Sequence, residues 1–78
     1  MSNSTKRYSF EDGSYLLLKE TPDEYVLEEY DSNRKIVTYS YHEGFKLIRF
    51  NRVKYNKKAY SLQKVISDIY EEYGLKET

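Results

Sequence analysis

Two hydrophobic periods divide the chain. From Tyr8 to Tyr60 the apolar positions come in short β-branched and aromatic runs separated by turn residues, and beyond Ser61 they recur at helical spacing. Leu62, Val65, Ile66, Ile69, Tyr70 and Tyr73 fall at i, i+3, i+4, i+7, i+8 and i+11, one stripe of an α-helix. Gln63, Lys64, Ser67, Asp68, Glu71 and Glu72 occupy the other side. Ser61 supplies an N-cap oxygen, and Gly74 suits the left-handed C-cap, with Leu75 placed to touch Tyr70 in a Schellman arrangement. A helix of this length, about 18 Å, does not hold in water alone. Its stripe must dock on the rest of the chain.

The earlier runs predict strands. Tyr8–Glu11 and Ser14–Lys19 flank Asp12-Gly13, which suits a two-residue type I′ hairpin turn. Thr21-Pro22-Asp23 interrupts the pattern, because Pro22 fixes φ and has no N–H to give. Glu24–Tyr30 reads as the next strand, and Asp31-Ser32-Asn33 as a turn whose side chains bond nearby backbone. Arg34–His42 is β-rich, with Val37, Tyr39 and Tyr41 on one face. Glu43-Gly44 turns the chain into Phe45–Phe50, and Val53–Tyr55 and Lys58–Tyr60 bracket Asn56-Lys57 as a last, short hairpin. The expected fold class is therefore α+β: an antiparallel meander sheet of five or six strands with one C-terminal amphipathic helix packed on it. Residues 1–7 read as a disordered tail, 8–75 as the single domain, and 76–78 as a C-terminal tail.

Composition sharpens this. With 78 residues and no Cys, the domain has neither disulfides nor thiolate metal sites to lean on. Side-chain packing must stabilise it, with oligomerisation as the other recourse. Ten of the residues are Tyr. Each ring buries a large area while its hydroxyl keeps a polar handle, so tyrosines are first of all strand residues, with a contact or base-stacking surface as the second reading. No apolar run approaches the length that spans a bilayer, and the N-terminus lacks the apolar core of a signal peptide. Both point to a cytoplasmic protein without a membrane partner.

Formal charge is zero, but it is unevenly placed. Glu20, Asp23, Glu24, Glu28, Glu29 and Asp31 form an acidic stretch without a base. From Arg34 to Lys58, Glu43 is the one acid among Arg34, Lys35, Lys46, Arg49, Arg52, Lys54, Lys57 and Lys58. Opposite charges on neighbouring antiparallel strands would fix register. The same basic-aromatic segment 34–58 could instead stack bases and neutralise phosphates, although no nucleic-acid-binding motif accompanies it.

Candidate chemistry is sparse. His42 is the sole His, at a strand end where a turn residue is the ordinary reading, and no Cys can act as nucleophile. Glu28 and Glu29 are adjacent on a strand and point to opposite faces, so they cannot share a substrate atom. Asp31-Ser32-Asn33 begins like a calcium loop, but Ile36 stands where its glycine belongs. Gly13, Gly44 and Gly74 are isolated and form no phosphate-binding loop. The expectation is a non-enzymatic protein-interaction domain without catalytic, metal or cofactor site, acting as subunit, adaptor or stoichiometric inhibitor. Its expected contact residues are Tyr39, Tyr41, Arg49, Arg52, Lys54 and Tyr55. Single-stranded DNA or RNA binding by residues 34–58 is the alternative, and complementary charge zones also admit a homodimer.

Overall fold

A computed structural model describes residues 5–75. Six strands and one helix follow one another as β1 (Thr5–Ser9), β2 (Tyr15–Glu20), β3 (Glu24–Tyr30), β4 (Tyr39–Glu43), β5 (Lys46–Phe50), β6 (Arg52–Asn56) and α1 (Leu62–Tyr73). The α+β class expected from the pattern is the one found. The strands, however, divide into two antiparallel sheets, a four-stranded one in the order β1-β2-β3-β6 and the β4-β5 hairpin.

The four-stranded sheet owes its cohesion to side-chain alternation. Leu16, Leu18, Tyr25 and Leu27 face the helix, and Val65 and Ile69 of α1 close the core over them. Tyr8, Phe10, Tyr55, Leu62, Ile66, Tyr73 and Leu75 pack around this centre. Rings extend the contact edgewise, with Tyr8 and Tyr70 T-shaped at 6.1 Å and Phe10 and Tyr73 tilted at 6.2 Å between centroids. Both caps of α1 form as anticipated. Ser61 Oγ accepts from the Lys64 N–H at 3.2 Å, and Gly74 adopts the left-handed conformation while the Leu75 N–H donates to the Tyr70 carbonyl at 2.9 Å, which is the Schellman bond.

Three local expectations are corrected. The β1–β2 connection is not a two-residue type I′ turn. Phe10 pairs with Ser14 across Glu11-Asp12-Gly13, with Gly13 at φ 92 and Ser14 held by the Asp12 carboxylate, a three-residue loop ending on a left-handed residue. Strand β1 also begins at Thr5, so Thr5, Lys6 and Arg7 pair with β2 rather than forming a tail. The remaining tail positions, 1–4 and 76–78, lie outside the described residues. No strand forms over 58–60. Ala59 and Tyr60 both donate to the Asn56 carbonyl and turn the chain directly into α1.

The largest correction concerns the neighbour of β3. Residues 34–42 were expected to pair with it as the next meander strand. Only Ile36 and Val37 do so, through a bridge to Tyr30 and a Val37 N–H to Glu29 carbonyl bond of 2.8 Å. Beyond them the chain leaves the sheet as the β4–β5 hairpin and returns as β6, which takes the edge of β3 from Glu24 to Glu28. Electrostatics favours this exchange. Continuing the Tyr30–Ile36 register would set Thr38 opposite Glu28, whereas β6 sets Arg52 there. Glu28 is only 2% exposed, and a buried carboxylate is costly without cationic partners.

The core makes a direct prediction. Ile69→Ala should destabilise the domain by about 2–5 kcal/mol, read from urea unfolding, and Val65→Asp or Ile69→Asp should leave it unfolded by circular dichroism.

Candidate functional site

The sheet positions two surfaces, one on each side. On the face away from α1, the register aligns Thr5, Lys19, Val26 and Lys54 in one row and Arg7, Leu17, Glu28 and Arg52 in the next. Ser9, Tyr15 and Tyr30 form a third row. Glu28 sits at the centre and is fully engaged: Arg52 Nε donates at 2.6 Å, Lys19 Nζ at 2.8 Å and the Tyr30 hydroxyl at 3.1 Å. Burial alone raises the pKa of this carboxyl, but the bonds from Arg52, Lys19 and Tyr30 together outweigh it and hold the group below the usual carboxylate range. The Tyr15 ring stacks on Tyr30 at 5.0 Å and carries the Arg7 guanidinium 4.0 Å from its centroid. This face thus gathers four cations, Arg7, Lys19, Arg52 and Lys54, around one buried acid.

The second surface is the hairpin. Its two-residue turn, Gly44-Phe45, places Glu43 opposite Lys46, Tyr41 opposite Ile48 and Tyr39 opposite Phe50, so these six share one face. Tyr39 stacks on Phe50 at 5.8 Å, and Tyr41 meets the same ring edgewise at 6.0 Å. Every residue of β4 is exposed and Ile48 alone in β5 is half-buried. Phe45 at the tip projects fully into solvent, and Tyr39, Tyr41, Leu47 and Phe50 remain 37–48% exposed.

One carboxylate ties this hairpin to the body. Glu29, on the helix side of β3, accepts from the Tyr39 hydroxyl at 2.5 Å and from the Tyr73 hydroxyl at 3.1 Å, both at Oε1. Leu27, Val37, Phe50, Asn51 and Val53 line the cleft around that clip. The Tyr39 phenol is pushed up to about 12, first by the bond to Glu29, then by burial and by the charges of Glu29 and Glu72. Burial, followed by the charge and bond of Glu29, raises Tyr73 as well.

The six residues expected to form one contact surface are therefore distributed. Tyr39 and Tyr41 share the aromatic face of the hairpin, while Arg49 pairs opposite Ser40 on its other face. Arg52 and Lys54 belong to the uncovered face of the sheet, and Tyr55 turns to the helix side, half-buried against Tyr60 at 5.2 Å. Contributors outside the expected set are Phe50 and Leu47 on the hairpin and Arg7, Tyr15, Lys19 and Tyr30 on the sheet. Strand alternation would have found Phe50. The sheet residues become neighbours only through pairing of β1, β2, β3 and β6, which no local signal shows. Among the described residues no group of three His, Asp or Glu side chains is placed to hold a metal ion, and no helix is long and apolar enough to cross a membrane.

Comparison with family models, with curated protein sequences and with solved structures yielded no match in any of the three.

Protons report on the Glu29 clip. In Tyr39 and Tyr73 the phenol holds its proton more tightly in the folded state, so the unfolded chain releases protons first as pH rises. Their contribution to stability is present below the ordinary phenol value of 10.0 and is lost as pH rises above it, that of Tyr39 by about 12 and that of Tyr73 at still higher pH. The urea midpoint should fall across that window, and less steeply in Tyr39→Phe. An unchanged slope in that variant would separate Tyr39 from the effect.

Proposed function

We propose that the chain is a non-enzymatic protein-interaction domain, a subunit, adaptor or stoichiometric inhibitor, whose contact surface is the β4–β5 hairpin. The observation that carries this reading is an aromatic two-stranded ribbon that no other element among the described residues covers. An isolated two-stranded hairpin is marginal in water, and aromatic side chains clustered in solvent are the composition of interface centres rather than of ordinary surface. Tyr39, Tyr41 and Phe50 supply the rings, Phe45 and Leu47 the apolar tip and back, and Lys46 and Arg49 a charged rim. The Glu29 clip fixes the base of the ribbon, which reduces the ordering cost of docking.

A second reading has its own observation. The convergence of Arg7, Lys19, Arg52 and Lys54 beside Tyr15 and Tyr30 suits a single nucleic-acid strand lying across the uncovered sheet face. Two features weigh against it. Glu28 already engages Lys19 and Arg52, and the Tyr15 ring is already engaged by Arg7 and Tyr30.

Two experiments separate these readings. Affinity capture from the native host should recover a protein with the wild-type chain and lose it with Tyr41→Ser combined with Phe45→Ser and Leu47→Ser. Equal recovery by this variant would refute the hairpin as contact surface. Titration with mixed single-stranded oligonucleotides should show no binding at low salt. Binding that weakens with a log–log salt slope of about −0.7 per phosphate contact, and is abolished by Arg52→Glu with Lys54→Glu, would establish the second reading instead.

A further inference from the structure

We infer that the free edge of β4 pairs with β4 of a second copy of this chain, antiparallel, about a two-fold axis at Tyr41. The inference rests on the hairpin being a contact surface and names its occupant.

Turn geometry sets which backbone groups are on offer. Gly44 has φ 63 and Phe45 does not share its positive φ, the arrangement of a two-residue type II′ turn. Residues flanking such a turn exchange both bonds, and the pattern alternates from there. Glu43, Tyr41 and Tyr39 therefore direct their N–H and C=O groups at Lys46, Ile48 and Phe50, while Ser40 and His42 direct theirs outward. The outer edge of β4 is a row of backbone donors and acceptors on exposed residues.

Edge chemistry distinguishes β4 from the other strands with a free side. Natural edges are guarded by Lys, by other charges or by Pro. Strand β1 carries Lys6 and Arg7, β6 carries Arg52 and Lys54, and β5 carries Lys46 and Arg49. Strand β4, Tyr-Ser-Tyr-His-Glu, has no Lys, Arg or Pro. Its single charge, Glu43, is at the turn.

That sequence is also complementary to itself. Centring the pair on Tyr41 uses all five residues. Ser40 then exchanges backbone bonds with His42 of the second copy, and the reverse, while Tyr39 faces Glu43 of the second copy. The two Tyr41 residues meet as a non-bonded pair, with Cα atoms about 4.5 Å apart and side chains at their closest. No like charges oppose one another, and the zero net formal charge adds no long-range repulsion. A four-stranded sheet in the order β5-β4-β4-β5 results, with Ile48 and Tyr41 of both copies in one continuous row. Each marginal ribbon thereby becomes part of a sheet wide enough to stand. The symmetry is closed, so pairing stops at two copies.

Sedimentation equilibrium of the full chain tests this. Wild type should show a concentration-dependent monomer–dimer equilibrium. Tyr41→Lys and Tyr41→Glu each place like charges at the two-fold and should weaken it at least about tenfold. An equimolar mixture of the two should recover a dimer containing one of each. All three proteins should share one far-ultraviolet circular dichroism spectrum, since residue 41 is exposed. A wild-type chain that stays monomeric at millimolar concentration overturns the inference, as does Tyr41→Lys self-associating as strongly as wild type. If wild type is monomeric while the Tyr41, Phe45 and Leu47 variant still loses a captured host protein, self-pairing fails and the hairpin reading stands. If that loss is also absent, both fall.

Discussion

The structure depends on one apolar contact, the seating of Val65 and Ile69 on Leu16, Leu18, Tyr25 and Leu27. Neither side persists without the other. A twelve-residue helix is below the length at which isolated helices hold in water, and the sheet would otherwise present four large apolar side chains to solvent. With no disulfide to restrict the unfolded chain, burial must oppose backbone entropy unaided. The tyrosines make this workable in a small chain. Tyr8, Tyr55 and Tyr73 widen the core with large rings, and the Tyr73 hydroxyl at the margin meets Glu29.

Two glutamates adjacent in sequence organise what lies outside that core. Glu28 and Glu29 project to opposite faces because successive strand residues must. Glu28 draws Lys19 and Arg52 into the uncovered sheet face and so selects β6 as the partner of β3. Glu29 draws the hydroxyls of Tyr39 and Tyr73 together on the helix side and so holds the hairpin at its base. The acidic stretch was open to reading as one half of a charge-paired ladder. Its two adjacent glutamates do more than that. One carboxylate is an internal counterion for the sheet, and its neighbour is a hydrogen-bond anchor between secondary-structure elements.

The proposed function divides the molecule into a packed body and a ribbon that extends from it. Sheet and helix bury their apolar faces in each other and leave the basic outer face partly neutralised by Glu28. Among the described residues the hairpin meets the body only at its base, where Tyr39 and Phe50 line the cleft around Glu29. Beyond that its rings pack on one another, and its edge strand β4 carries unguarded backbone groups. An interaction role fits the ribbon for that reason, and self-pairing fits it best because the sequence of β4 opposes itself without charge conflict.

The amino-acid sequence determined what local periodicity and backbone chemistry can determine. Helix α1 was legible with both caps, since six apolar positions at helical spacing between Ser61 and Gly74 have one physical solution. Most of the strands were legible too, from their β-branched and aromatic runs and the turn residues between them. The opposed directions of Glu28 and Glu29 followed from strand geometry alone. Pairing was not legible. Segments 34–42 and 52–56 are both β-rich and both carry basic residues, so either could lie beside β3 on local grounds. The choice fell to a long-range contact, Arg52 with the buried Glu28, and it split Tyr39, Tyr41, Arg49, Arg52, Lys54 and Tyr55 among separate surfaces. A strand's two faces are written in its sequence, whereas its neighbour is set by charges and rings arriving from residues far along the chain.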